Sequence, residues 1–210
     1  VVEEGRRVIN NVQKSSTLFL MKTLLTILLS IFVLALRVEY PFEPKQMFLL
    51  ELFVIGIPSF FLALQSNKEL IRGNFIPYVI KKGLPYGLII FANVITVLLL
   101  GKLNILNFSE TESLATIVLT TAGFFNLVSL CYPYTLNKFL IVLSSLGGMI
   151  LFGFIMPNFF GIVDVSTNVW KLALVLSLLT IVIHLVIKNI NMLRKNHPKP
   201  IKINNIKRRR

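Results

Sequence analysis

Six apolar runs, separated by short polar or proline-bearing segments, organise this chain: residues 18–36, 47–64, 84–100, 114–131, 139–156 and 169–187. A helix needs about 20 mostly apolar residues to cross the hydrocarbon of a bilayer, and each run meets or nearly meets that length. The segments between them carry residues that end helices: Tyr40-Pro41-Phe42-Glu43-Pro44, Ser66-Asn67-Lys68-Glu69, Asn107-Phe108-Ser109-Glu110, Pro133-Tyr134 and Pro157-Asn158. Proline lacks a backbone donor and disfavours helix in the residue before it. The pattern predicts an all-α fold, a polytopic transmembrane bundle of six helices over residues 18–187. Residues 1–17 form a polar start and residues 188–210 a basic tail. The polar start at Val1, without a signal-peptide pattern, is expected to be a cut through a longer protein.

Composition sharpens this picture. Hydrophobic residues make up 55% of the 210, the mean hydropathy is +0.76, and only 15% are charged, against about 25% in soluble proteins. The net charge of +13 would suit a nucleic-acid partner, but the cations sit at the edges of apolar runs and in the tail. Of the 22 Lys and Arg, 18 fall in segments 1–22, 67–83, 132–138 and 188–210, and 4 in the alternate segments. Positive charge prefers the cytosolic side, so both termini are expected in the cytoplasm, with the helices in the cell membrane. The tail from Ile201 to Arg210 lacks aromatic residues for stacking on bases. Anionic lipid is its expected partner, and no nucleic acid is expected.

The chemistry of soluble enzymes is missing from the sequence. It holds no Walker-type glycine loop, no HExxH and no GxSxG. Cys131 cannot form an intrachain disulfide, being the single cysteine, and is expected to pack as a small apolar group. His184 and His197 read as structural or interfacial residues. Glu51 stands apart, because a carboxylate inside an apolar run costs a few kcal/mol and so usually faces a partner or cavity. It reads as an ion ligand or proton carrier, or alternatively as a residue near enough to the membrane surface to reach water. Gly56 and Pro58 follow it and predict a kink, with backbone carbonyls freed near Val54 and Ile55. Carbonyls beside a carboxylate suit a hard cation, although a plain kink reads almost as well. Lys22 is expected to snorkel to the head groups, with a salt bridge inside the bundle as the lesser reading. Thr23 and Thr26 share a helix face and read as packing residues or weak ion ligands. Asn126 and Ser129 predict hydrogen bonds between helices, and Ser144 with Gly148 a close helix contact.

The opening Val2-Glu3-Glu4-Gly5-Arg6-Arg7-Val8-Ile9-Asn10-Asn11-Val12 resembles the EGRxxxxN-like segment of P-type ATPases. In that family the segment follows the phosphorylation domain and starts the stalk of the fifth transmembrane helix. Residues Glu51-Leu52-Phe53-Val54-Ile55-Gly56-Ile57-Pro58-Ser59 are similar to the sixth helix of calcium-type pumps, whose pattern is NLVTDGLPA. The Gly-x-Pro frame is kept, and six spans are what the fifth to tenth helices would supply. The chain therefore resembles a divergent bacterial, calcium-pump-like branch, in its carboxy-terminal membrane part. The resemblance puts Glu51 at the family's ion-binding asparagine, Val54 at its threonine and Ile55 at its aspartate. Glu51, four residues earlier on the same helical face, is expected to substitute for the missing carboxylate. On the fifth helix the ligands of calcium-type pumps fall near Thr23 and Thr26, which carry no charge.

By the same resemblance, the full-length protein is an ATP-hydrolysing cation translocase, with calcium the candidate cation. ATP and Mg2+ would bind upstream phosphorylation, nucleotide and actuator domains of the same polypeptide and not this part, which has no DKTGT motif. Residues 1–17 would be the start of a cytosolic stalk, and the loop 67–83, with Lys68, Arg72, Lys81 and Lys82, would dock on the phosphorylation domain. A free-standing six-helix permease or channel, using Glu51 as its proton or ion site, is the alternative.

Overall fold

The structure, a computed structural model, describes residues 2–65, 74–163 and 165–196. Among the described residues, six helices are long and apolar enough to cross a membrane, and there is no strand. They are α1 (Val2–Leu36), α2 (Pro44–Ala63), α3 (Phe75–Lys102), α4 (Phe108–Cys131), α5 (Leu136–Ile155) and α6 (Thr167–Asn196).

Helices α1 and α3 both begin well before their apolar runs. The polar start and first apolar run form one helix of 35 residues. Helix α3 begins at Phe75 rather than Leu84, so residues 75–83 are helix where a loop was expected, and Lys81 and Lys82 stand on it. Asn74 is extended at its start, and Pro77 falls in the first turn, where a missing donor costs nothing. Lys68 and Arg72 lie outside the described residues, as do residues 197–210 with His197 and most of the basic tail.

Helix α4 is the hub: 67% of its spanning window is buried, against 17% for α5 and for α6. Its polar side chains tolerate this because they bond back along their own helix. Thr116 donates to the Glu112 carbonyl at 2.9 Å and Thr120 to the Thr116 carbonyl at 2.7 Å. Glycines set how closely neighbours approach. Leu24 of α1 lies over Gly87 of α3, Leu50 of α2 over Gly123 of α4, and the Phe53 ring of α2 over Gly148 of α5. Gly148 thus makes the close contact expected of it, while Ser144 spends its hydroxyl on the Ile141 carbonyl of its own helix. The outward faces of α5 and α6 carry exposed Leu140, Leu143, Phe154, Leu174, Leu178 and Val182. Such a belt is stable where lipid, not water, covers it.

The connections are tied down by polar side chains. A capping box of Glu43 and Gln46 opens α2, and a second one of Asn107 and Glu110 opens α4. Gln46 is buried against Gly161, whose φ of +64° is a conformation that glycine adopts without strain. Ser113 of α4 accepts from the Val163 backbone N–H at 3.0 Å and donates to its carbonyl.

A Cβ at Gly123 would meet Leu50 at 2.3 Å, and one at Gly148 would meet the Phe53 ring at 2.3 Å, whereas one at Gly147 meets nothing within 4 Å. Overpacking of this kind costs about 1–3 kcal/mol. Gly123→Val and Gly148→Val should each lower the thermal transition of the detergent-solubilised protein by several degrees, and Gly147→Ala should leave it unchanged. Fluorescence-detected size exclusion after heating measures this.

Candidate functional site: the broken second helix and its partners

Helix α2 changes register in mid-span. Pro44–Leu50 is α-helical, Glu51–Gly56 is a π-helical turn, and Ile57–Ala63 is α-helical again. The cause lies in the sequence. Pro58 has no N–H to donate, and the Ile57 N–H reaches back to the Leu52 carbonyl, five residues away. The Phe53 carbonyl is thereby left without a donor from Ile57 in α register or from Pro58 in π register. Ser145 of α5 supplies one, its hydroxyl donating to Phe53 at 2.5 Å. Gly56 permits the wide turn, since a Cβ there would lie 3.0 Å from the Glu51 carbonyl. The sequence pointed to Val54 and Ile55 as the freed carbonyls. Both residues are buried in the core, and within the π turn it is the Phe53 carbonyl that accepts from another helix.

Glu51 opens the π turn and faces α1, where the Lys22 ammonium donates to its carboxylate. Lys22 was expected at the head groups. Instead it reaches sideways to the acid, because a bare carboxylate and a bare ammonium each cost more within an apolar bundle than the pair does. Both side chains are partly exposed, 31% for Lys22 and 41% for Glu51, so the pair sits at a surface between helices rather than in the core. Thr23 and Thr26 are not brought to it. Their hydroxyls donate to the Phe19 and Lys22 carbonyls of their own helix, at 3.0 and 3.1 Å. Among the described residues, no three His, Cys, Asp or Glu cluster closely enough to hold a metal ion. The donor set at the break is therefore one carboxylate, already charge-paired, beside an opened backbone.

A second set of bonds ties α1 to the far end of α2. Asn11, nearly fully buried, donates to the carbonyls of Ala63 at 3.0 Å and Gln65 at 2.7 Å. Those carbonyls end a helix and have no donor within it, so one amide of α1 caps α2. One turn on, Ser15 donates to the Ser59 carbonyl at 3.3 Å. Helices α1 and α2 are thus joined by side-chain bonds at Asn11, Ser15 and Lys22, along one face of α1. Asn126 and Ser129 of α4 also bond between helices: Asn126 to Met21 and His184, Ser129 to Tyr86.

Three curated relatives bear on what this arrangement belongs to. The probable cation-transporting ATPase exp7 of Streptococcus pneumoniae is 29% identical over 175 residues, 80% of this chain and 22% of that protein. The calcium-transporting ATPase CtpE of Mycobacterium bovis is 33% identical over 159 residues, 69% of this chain and 20% of its own length. The corresponding CtpE of Mycolicibacterium smegmatis is 30% identical over 165 residues, 72% of this chain and 21% of that protein. The chain matches the carboxy-terminal membrane part of P-type cation-transporting ATPases. It spans about a fifth of the length of these relatives. No family model matches it. With the P-type match and six spanning helices, this is a multi-pass membrane protein.

The P-type resemblance drew attention to α1 and α2, and the structure brings those two helices together at the Lys22–Glu51 pair. What sequence reasoning missed is the partner of each group. Ser145 gave no signal beyond being small and polar in an apolar run. Lys22 did carry one: a lone cation and a lone acid in consecutive spans, where each is expensive alone.

Ser145→Ala removes the donor to the Phe53 carbonyl and leaves a buried acceptor unpaired, at a cost of about 1–3 kcal/mol. Its thermal transition should fall by several degrees. Ser144→Ala, which removes only a bond within α5, should move it by less than a third as much in the same assay.

Proposed function

We propose that this chain is the transmembrane part of an ATP-driven cation pump and that Glu51 lines its ion path. The observation that carries the reading is the juxtaposition, within a helix long and apolar enough to span a membrane, of a carboxylate, a π-helical break and a cation from the adjacent helix. Lys22 gives the proposal its mechanism. With no ion bound, the ammonium neutralises Glu51. An arriving cation must compete for the same oxygens, and the Glu51–Gly56 turn, which can shift register at small cost, supplies the freedom to rearrange. Such a site suits one cation rather than two, because it holds a single acid.

The orientation follows from the bias of Lys and Arg: both termini face the cytoplasm, and the bundle lies in the cell membrane. In this reading α1 continues a stalk from upstream domains that bind ATP and Mg2+. The cap that Asn11 places on α2 transmits movement of α1 directly to the helix that carries Glu51. Helices α3 to α6 support these two, and the basic tail lies on anionic lipid. The calcium transport named for the mycobacterial relatives makes calcium the first cation to try.

The full-length protein in proteoliposomes tests this. ATP hydrolysis and ion uptake are measured across calcium, magnesium, manganese, potassium and sodium. One cation should stimulate both, and Glu51→Gln should abolish that stimulation. Unchanged stimulation in Glu51→Gln would remove the acid from the ion path. Lys22→Gln removes the competing cation and should lower the half-saturating cation concentration roughly 3- to 10-fold, the equivalent of about 0.7–1.4 kcal/mol. An increase would mean that Lys22 assists binding rather than competing with it.

A further inference from the structure

A second polar centre lies away from Glu51, where four helices meet. The His184 ring of α6 has its Nδ1 2.9 Å from the Thr180 carbonyl and its Nε2 2.6 Å from the Asn126 side-chain oxygen of α4. Asn126 turns its NH2 to the sulfur of Met21 in α1, at 2.7 Å. The Tyr86 ring of α3 stacks on the imidazole, with centroids 5.2 Å apart and planes 12° from parallel, and its hydroxyl bonds Ser129 at 2.5 Å. Thr180 takes a further bond from Asn93 of α3, at 2.7 Å. Asn126, Met21 and Thr180 are each about 1% exposed.

Proton counting makes this centre unusual. A helix carbonyl only accepts, so Nδ1 must carry hydrogen. In a neutral ring Nε2 is then a bare acceptor, facing the Asn126 oxygen, a second acceptor. Two arrangements remove that clash. In one, the ring is an imidazolium and donates from both nitrogens. In the other, the ring is neutral and the Asn126 amide turns over, giving its NH2 to Nε2 and placing its oxygen against a Met21 sulfur that has no proton to offer. The amide orientation and the ring proton are thus one variable, and Met21, next to Lys22 on α1, is on its far side.

We propose that His184 is a proton-binding site inside the bundle, whose occupancy sets the orientation of Asn126 and, through it, the contact with α1. Burying a charged ring costs solvation. Two oxygen acceptors and the face of Tyr86, which attracts cations, oppose that cost. Among the described residues, the titratable group facing the ring is Tyr86. From α4 it meets Asn126 and Phe125, and from its own helix Thr180. Lys188 follows one turn later on α6, its side chain outside the described residues. The site does not require Glu51 to carry an ion, and its test does not depend on transport.

The experiment is magic-angle-spinning NMR of the full-length protein in liposomes, with 15N-histidine and 13C-methyl-methionine, differenced against His184→Gln and Met21→Leu to assign the two residues. Between pH 5 and 8 the His184 ring should pass from both nitrogens protonated to the Nδ1–H neutral form. The Met21 methyl should move with the same midpoint. Asn126→Leu removes an acceptor and should lower the midpoint by about one unit, a tenfold change in proton affinity. Asn126→Asp should raise it. A ring that keeps one form across the range in the wild-type protein would overturn the proposal, even if Asn126→Leu fails to fold. So would a midpoint indifferent to Asn126→Asp, or a Met21 signal that ignores the ring.

Discussion

Inside hydrocarbon, a polar group that finds no partner in the protein finds none at all, and this bundle is arranged around that constraint. Pro58 removes one donor in mid-span, and the consequences spread outward. The backbone of α2 widens into a π turn, the Phe53 carbonyl turns to Ser145 of α5, and Glu51 at the head of the turn is met by Lys22 of α1. Each partner comes from a different helix. The break therefore fixes where α1 and α5 sit against α2, and glycines at Gly123 and Gly148 give the clearance that lets the helices close around it. A weak point in one helix has become the place where three are registered.

The six spans were legible because the period of apolar runs and the residues that interrupt them follow from length and backbone chemistry alone. The position of the break was legible too, because proline has one local effect. Its form was not. Whether a missing donor yields a bend, an unwound stretch or a wide turn depends on what adjacent helices offer, and Ser145 lies 92 residues beyond the carbonyl it serves. For Lys22 the lesser reading, a salt bridge within the bundle, is the one realised: snorkelling is the default for a cation considered on its own helix, and the acid that overrides it stands 29 residues away. The early start of α3 was a different kind of miss. Lys81, Lys82 and Gly83 interrupt the apolar run, yet the helix continues through them and through Pro85.

Two interactions of α1 have consequences that only make sense together. The Asn11 cap holds the end of α2 that lies beyond Pro58, and the Lys22 pair holds the end before it. The π turn lies between these two attachments, so any axial or rotational shift of α1 must be absorbed there. A regular α-helix resists such a shift along its whole length, because each turn is locked by its hydrogen bonds. A turn already in the wider register, with one carbonyl borrowed by Ser145, can change its hydrogen bonds one at a time. The group attached at its head is Glu51. Displacement of α1 would then act on the carboxylate and on the ammonium opposite it at the same moment, so the two charges cannot be moved independently of α1.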